Sequence, residues 1–362
     1  MSPNVGAEVQ KTLYSGYVGQ GEKVQEFEQL LSDTFDWDHV LTLNSCTSAI
    51  QLALHLVKSK ENEPVLLPPL SCFATTSAVL SNGMTPRWVD IDPATCNMDL
   101  EDLRLKLTPE TKIILLVHFA GLPINYYRLN YILDEFQSKH GFRPYVIEDC
   151  AQSLGSLSNG RYTGCSGNIC CFSFQAVKLL TTGDGGAIVL PDEELYERAK
   201  LLRWYGLDRR ENIRYQNIKE SGFKYHMNDI SATIGICNLN YIIEQNIDQQ
   251  QTTLNFSFRK EFNQVLELDS FSCGGQCPIL VEKRDAFEKY MLECGVESTP
   301  CHYRCDLHDC VKEFRISLPG MNEVESKMTL LPCGWWLSNQ QLKYVINCVK
   351  REEKVPWKKE GF

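Results

Sequence analysis

From residue 40 onward, short apolar runs alternate with longer amphipathic ones. "HVLTLN" reads as a strand, and "SCTSAIQLALHLVKS" places Ala49, Leu52, Ala53 and Leu56 at helical spacing behind Ser and Thr candidates for the N-cap. The alternation continues as strand "PVLLPP", helix "FATTSAVLSN", strands "TPRWVDID" and "KIILLVHF", helix "YYRLNYILDEFQSKHG" and strand "YVIEDCA". "ICCFSF" and "GGAIVL" follow as strand-like runs on either side of a glycine-rich turn. Continuous apolar strands separated by helices predict an α/β fold with a mostly parallel central sheet covered by helices on both faces. From about residue 195 a long helical stretch is expected, taking in "RWYGLDRR" and then "SGFKYHMNDISATIGICNLNYI". Past residue 245 the pattern becomes shorter and mixed, with strand "CPILVE" and helices "KRDAFEKYMLECG" and "NQQLKYVINCVKREE". The expected organisation is a large domain over 1–245 and a smaller C-terminal α+β domain over 246–362.

Composition narrows the function classes. Apolar residues at 43% and charged residues at 23% describe an ordinary globule of 362 residues, long enough for a large core. A net charge of −10 argues against general binding to nucleic acid or an anionic membrane. No run has signal-peptide or membrane-spanning character, so a cytoplasmic protein is expected. The 16 cysteines are scattered, several within apparent strands, and read as reduced thiols. "CHYRCDLHDC", Cys301–Cys310, lacks a C-x-x-C pair and reads as a loop with thiols rather than a zinc site; no metal is expected.

Four pieces fall at sheet ends or turns. "NSCTSA" sets Cys46, Thr47 and Ser48 at a helix start, where backbone N–H groups and hydroxyls suit a phosphate as well as a plain N-cap. "IEDCAQ" puts Asp149 at the carboxyl end of an apolar strand with Gln152 close behind, either as an ion-pair partner or to hold a proton on a pyridine nitrogen. Phe73 follows a strand and offers an aromatic face, for the core or for a flat ring. In "SFQAVKLLTTGDGG", Ser173 precedes Lys178, and Gly183, Gly185 and Gly186 let backbone approach closely. A lysine in a desolvated turn makes a good Schiff-base former. A phosphate nest, a ring stacker, a carboxylate and such a lysine together are what pyridoxal phosphate requires.

These stretches resemble the DegT/DnrJ/EryC1/StrS family of sugar aminotransferases, within the fold-type I pyridoxal-phosphate enzymes. "SGYVGQGEKVQEFEQ", "NSCTSAIQLAL", "VDIDPATCNMD", "EDCAQSLGS", "SFQAVKLLTTGDGG" and "YHMNDISATIGICNL" are similar to that family's motifs over about 14–245 and weakly beyond. The resemblance implies that Lys178 carries pyridoxal 5'-phosphate, Asp149 faces the ring nitrogen, Gln152 the ring hydroxyl, and Phe73 stacks on the ring. Ser173 and the backbone around Cys46, Thr47 and Ser48 would hold the phosphate, with Lys224 reaching it from the other subunit of a homodimer with shared active sites. The implied reaction moves an amino group from glutamate to a nucleotide-linked keto-deoxysugar, giving a 4-amino-4,6-dideoxyhexose of the viosamine or perosamine kind. Amination at carbon 3, or of a cyclitol, is the neighbouring alternative, and a regulatory or scaffold protein the alternative of another class. Lysine at 178 favours transamination over the family's dehydratases, which carry histidine there.

The chain also departs from the family. Lys224 stands where asparagine is usual and His226 where arginine is, while Asp184 replaces glutamate and Tyr205 histidine. "HYRCDLH" is one residue longer than its counterpart and lacks a proline, so sugar contacts of Tyr303 and His308 do not carry over.

Overall fold

The computed structural model describes residues 1–247, 257, 270–271, 276–334 and 336–352. Its centre is a seven-stranded sheet made of β1 (Val40–Leu43), β2 (Pro64–Leu67), β3 (Thr85–Trp88), β4 (Ile113–Val117), β5 (Tyr145–Asp149), and the later strands Ile169–Ser173 and Gly186–Val189. Two short strands between them, β6 (Leu157–Ser158) and β7 (Arg161–Tyr162), form a separate antiparallel ladder, which makes the last two sheet strands β8 and β9. The sheet order is β1-β9-β8-β5-β4-β2-β3. Pairings from β8 through β3 are parallel, and β9 runs antiparallel to both its neighbours. Strands β1, β4, β8 and β9 are buried at every position, as both-sided coverage requires.

Helices α1 (Val5–Tyr14), α2 (Glu22–Phe35), α3 (Cys46–Val57), α4 (Phe73–Ser81), α5 (Leu100–Lys106), α6 (Tyr126–His140), α7 (Glu193–Leu202) and α8 (Asp229–Gln245) supply the cover. Their ends carry the expected chemistry: Ser45 caps α3 by accepting from the Ser48 N–H at 3.0 Å, and Gly141 ends α6 at φ 77°. Buried Asp229 accepts from the N–H groups of Gly21 (2.7 Å) and Val24 (3.2 Å), so α8 caps α2 across the molecule. Gly235 of α8 lies against Phe27, whose ring would be 2.5 Å from any added Cβ.

The long helical stretch expected from residue 195 is interrupted. α7 stops at Leu202, Tyr205 and Gly206 turn back with φ of 61° and 85°, and after a short 3-10 turn at Ile213–Tyr215 the α-helix resumes at Asp229 behind the Asn228 cap. The backbone of 222–226 instead lies beside the sheet, where Trp204 bridges Lys224 and Leu43 bridges His226.

The C-terminal part has its own antiparallel sheet, β11 (Gln276–Leu280), β13 (Met328–Pro332) and β12 (Thr299–Pro300) in that order, while Ser270–Phe271 (β10) joins the β6–β7 ladder. Helices α9 (Arg284–Glu293) and α11 (Asn339–Glu352) form a core with this sheet through Phe287, Met291, Leu331 and Val345. Helix α10 (Pro319–Glu325) is joined to the large sheet: buried Asp90, just past β3, accepts from the Gly320 N–H (2.7 Å) and the Met321 N–H (2.9 Å). The expected division at 245/246 falls beside 248–256, outside the described residues. Among the described residues no helix is long and apolar enough to cross a membrane, and the cysteines are free thiols.

Candidate active site

Three elements of the large sheet converge at the strand carboxyl ends. Asp149 ends β5 and is 6% exposed. Its Oδ1 accepts from the Ala151 N–H (3.0 Å) and its Oδ2 from the Thr75 hydroxyl of α4 (2.7 Å). The Cys46 thiol at the start of α3 stands 4.0 Å from Oδ1 and donates to the Cys171 carbonyl at 3.5 Å. Burial pushes this thiol well above its usual range, Asp149 adds to the effect and Lys178 opposes it. Lys178 and Asp149 therefore act on one point, and the thiol beside them stays protonated and adds no second negative charge.

Lys178 lies on the loop between antiparallel β8 and β9, which closes at the Ser173–Gly186 pair. The loop is tied internally: the Lys178 N–H donates to the Gln175 carbonyl (3.0 Å), the Thr182 N–H to the Phe174 carbonyl (2.9 Å), and the Phe174 N–H to the Gly185 carbonyl (2.8 Å). Asn238 of α8 donates to the Thr181 carbonyl at 2.7 Å. Lys178 is half-buried, whereas Val177 beside it is 83% exposed. Gly186 is needed for close approach, since a Cβ there would stand 2.5 Å from the Cys46 nitrogen. That contact seats the start of α3 directly over the β9 backbone. Among the described residues the N–H groups of Cys46 and Thr47 have no partner, which leaves two donors at a helix N-terminus.

The other expected residues are placed as follows. Gln152 is half-buried, and its Oε1 accepts from the N–H of Ala120 (2.6 Å), a residue held at φ 51°. Its amide NH2 is thus the free end. Ser173 is buried, and its hydroxyl accepts weakly from the Gln175 N–H at 3.4 Å. Phe73 is half-buried against the main core and meets His308 edge-on at 4.5 Å; His308 in turn meets Tyr303 at 5.1 Å. Lys224 is exposed, and its carbonyl accepts from Asn44 Nδ2 of the same chain at 3.3 Å.

Two neighbours were not marked by the sequence. Thr75 sits in a helix with Thr76, Ser77 and Ser81 interspersed among apolar residues, so no one hydroxyl stands out. His302 is exposed, yet partial desolvation and then Lys178 push it below its ordinary range, with Asp149 opposing, which places it in the same field. The signal for His302 was the "CHYRCDLHDC" cluster, read for metal rather than for proximity. That segment roofs the site: the Cys305 N–H donates to the Pro69 carbonyl (2.8 Å), and Arg304 grips Asp306 through two bonds of 2.7 and 2.8 Å.

Behind Asp149 a buried network surrounds Glu148, which accepts from Tyr126 (2.7 Å), His118 (2.9 Å) and Asn168 (2.7 Å). Burial pushes this carboxyl up, but the three donors outweigh it and bring it down to about 2. His118, Glu148 and Cys150 gather as potential metal ligands. However, His118 Nδ1 accepts from the Ile124 N–H at 3.2 Å, so Nε2 carries the proton it donates to Glu148. An imidazole so arranged offers a metal no lone pair.

The donor set fits a phosphorylated pyridine aldehyde: an amine on a tied loop, a carboxylate at a strand end, two N–H donors with a neighbouring hydroxyl, and a free amide. Comparison with known proteins agrees. The sequence model of the DegT/DnrJ/EryC1/StrS aminotransferase family matches residues 2–350. A GDP-perosamine synthase of Escherichia coli O157:H7 is 29% identical over 340 residues, covering 91% of this chain and 90% of that protein. An uncharacterized protein of Methanocaldococcus jannaschii is 35% identical over 240 residues, a match spanning 64% of this chain and 60% of the relative. The crystal structure of the sugar aminotransferase CalS13 from Micromonospora echinospora superposes with a TM-score of 0.92 at 34% identity, covering 97% of both chains.

Proposed function

The chain belongs to the DegT/DnrJ/EryC1/StrS aminotransferase family of pyridoxal-phosphate-dependent sugar aminotransferases, and from that premise we propose its reaction: transfer of the amino group of glutamate to a nucleotide-linked 4-keto-6-deoxyhexose. The full-length similarity to a GDP-perosamine synthase supports the 4-amino product. The observation that carries the reading is the meeting of Asp149, the foot of the loop that bears Lys178, and the start of α3: Cys46 lies 4.0 Å from Asp149 and packs on Gly186, at a helix start that offers free N–H donors.

Pyridoxal phosphate, when bound, supplies an electron sink that lets a proton leave the carbon bearing the amino group. The chain's residues do the rest. Lys178 Nζ would hold the cofactor and serve as the base and acid that moves the proton. Asp149 would hold a proton at the ring nitrogen. The N–H groups of Cys46 and Thr47, with the hydroxyls of Thr47, Ser48 and Ser173, would hold the phosphate. The free amide of Gln152 would donate to the ring hydroxyl, and Phe73 would lie against the ring. His302, an exposed member of the 301–308 roof, is placed to meet the sugar.

A homodimer with shared sites completes the proposal, with Lys224 reaching the partner subunit's cofactor phosphate. Its support is the resemblance, which puts Lys224 where the family reaches across a two-fold interface, together with the exposure of Lys224 and of Val177 beside Lys178.

Incubating the holoenzyme with glutamate and a panel of nucleotide keto-sugars, read by mass for exchange of oxygen for amine, tests the reaction. The 4-keto-6-deoxy sugars should be aminated. Turnover of 3-keto sugars or cyclitols alone would contradict the substrate assignment.

A further inference from the structure

Asp149 is held from two sides, and among the described residues its only side-chain oxygen donor comes from a helix outside its own strand. The Thr75 hydroxyl donates to Oδ2 at 2.7 Å and the Ala151 N–H to Oδ1 at 3.0 Å, each an ordinary distance for its donor. Thr75 is 1% exposed and sits in the first turn of α4, where its own N–H donates to the Cys72 carbonyl. A threonine in a helix commonly bonds back to the carbonyl one turn earlier; here the hydroxyl is spent on the carboxylate instead. Its branched side chain is confined at χ1, so the donor is fixed by the helix rather than free to follow the acceptor.

We propose that Thr75 is a positioning residue for the ring-protonating role of Asp149, a proposal that rests on the reading of Asp149 given above. Its hydroxyl fixes the rotation of the carboxylate. Loss of the hydroxyl frees the carboxylate to turn away from the ring nitrogen, and a rotated carboxylate supports the ring proton less well. The ring nitrogen is then unprotonated over more of the pH range.

The test uses the holoenzyme loaded with pyridoxal phosphate labelled with nitrogen-15 in the ring, whose resonance reports protonation directly. Wild type, Thr75→Val, Thr75→Ser and Asp149→Asn are compared across the neutral pH range, with the glutamate half-reaction measured alongside. Thr75→Val should move the ring-nitrogen titration to lower pH and slow the half-reaction by roughly ten- to a hundredfold. Thr75→Ser should restore both. Should the valine variant not accumulate folded, Thr75→Ala is read in the same way. A wild-type titration in Thr75→Val, with Asp149→Asn shifted, overturns the role of Thr75 alone. An unshifted titration in Asp149→Asn overturns the reading of Asp149 itself. A shift in Thr75→Val that Thr75→Ser shares equally shows that packing, not the hydroxyl, sets the carboxylate, and also overturns the proposal.

Discussion

His226 illustrates how a single side chain couples the fold to pH. Its ring centroid lies 3.5 Å from that of Trp204, and its buried Nδ1 has no hydrogen-bond partner among the described residues. Burial, then the charges of Lys224, Arg203 and Arg209, bring it down to about 4. In the unfolded chain a histidine titrates near 6.5. Between about 6.5 and 4 the unfolded state therefore binds more protons, so the stability His226 permits above that window is lost as pH falls through it. His226→Phe should flatten the decline in urea midpoint between neutral and mildly acidic pH; an unchanged slope would show that His226 does not carry it. The sequence marked this position only as a departure from the family's arginine. Lys178 and Asp149, by contrast, were legible, because a lone lysine beside a glycine turn and a carboxylate ending an apolar strand both stand out from their surroundings. Thr75 was not, since its role depends on which way one helix face turns, and Thr76, Ser77 and Ser81 are interspersed with it among the apolar residues of α4.

At the scale of elements, the attachment of α10 to the large sheet is the clearest prediction. Asp90 accepts from the first N–H groups of that helix, and a Cβ at Gly320 would stand 2.1 Å from the Ile91 carbonyl oxygen. Asp90→Ala removes a buried acceptor at a helix N-terminus and should cost about 2 kcal/mol of stability. Gly320→Ala should also destabilise, by forcing backbone apart, whereas Gly6→Ala, with nothing within 4 Å, should be neutral or mildly stabilising in thermal unfolding. Equal melting temperatures for Gly320→Ala and Gly6→Ala would contradict this account of the contact. The seven strands of the large sheet and helices α3, α4 and α6 could be read from residues 40–190 because their apolar periodicities are clean, whereas α1, α2, α5 and the short β6 and β7 were not read. The segment after α7 could not, because its apolar residues continue at helical spacing while Tyr205 and Gly206 reverse the backbone. The Tyr-Gly pair was the available sign.

For the whole molecule, the proposal requires two chains. Lys224 lies beside Asn44 of its own chain, so its action on its own site or the partner's is an open contrast that mixing resolves. If Lys224 acts across the interface, Lys178→Ala and Lys224→Ala chains re-paired at random should recover roughly a quarter of wild-type activity, since half the dimers are hybrids with one intact site of two. If it acts within its chain, every site keeps a lesion and nothing returns. Both outcomes presuppose that Lys178 is the residue that bears the cofactor. That claim is tested most directly by reducing the pyridoxal-phosphate-loaded protein with borohydride and mapping the labelled peptide by mass. The account predicts a single cofactor-bearing lysine, Lys178, and no label in Lys178→Ala; a label on any other lysine of the wild-type protein would contradict it.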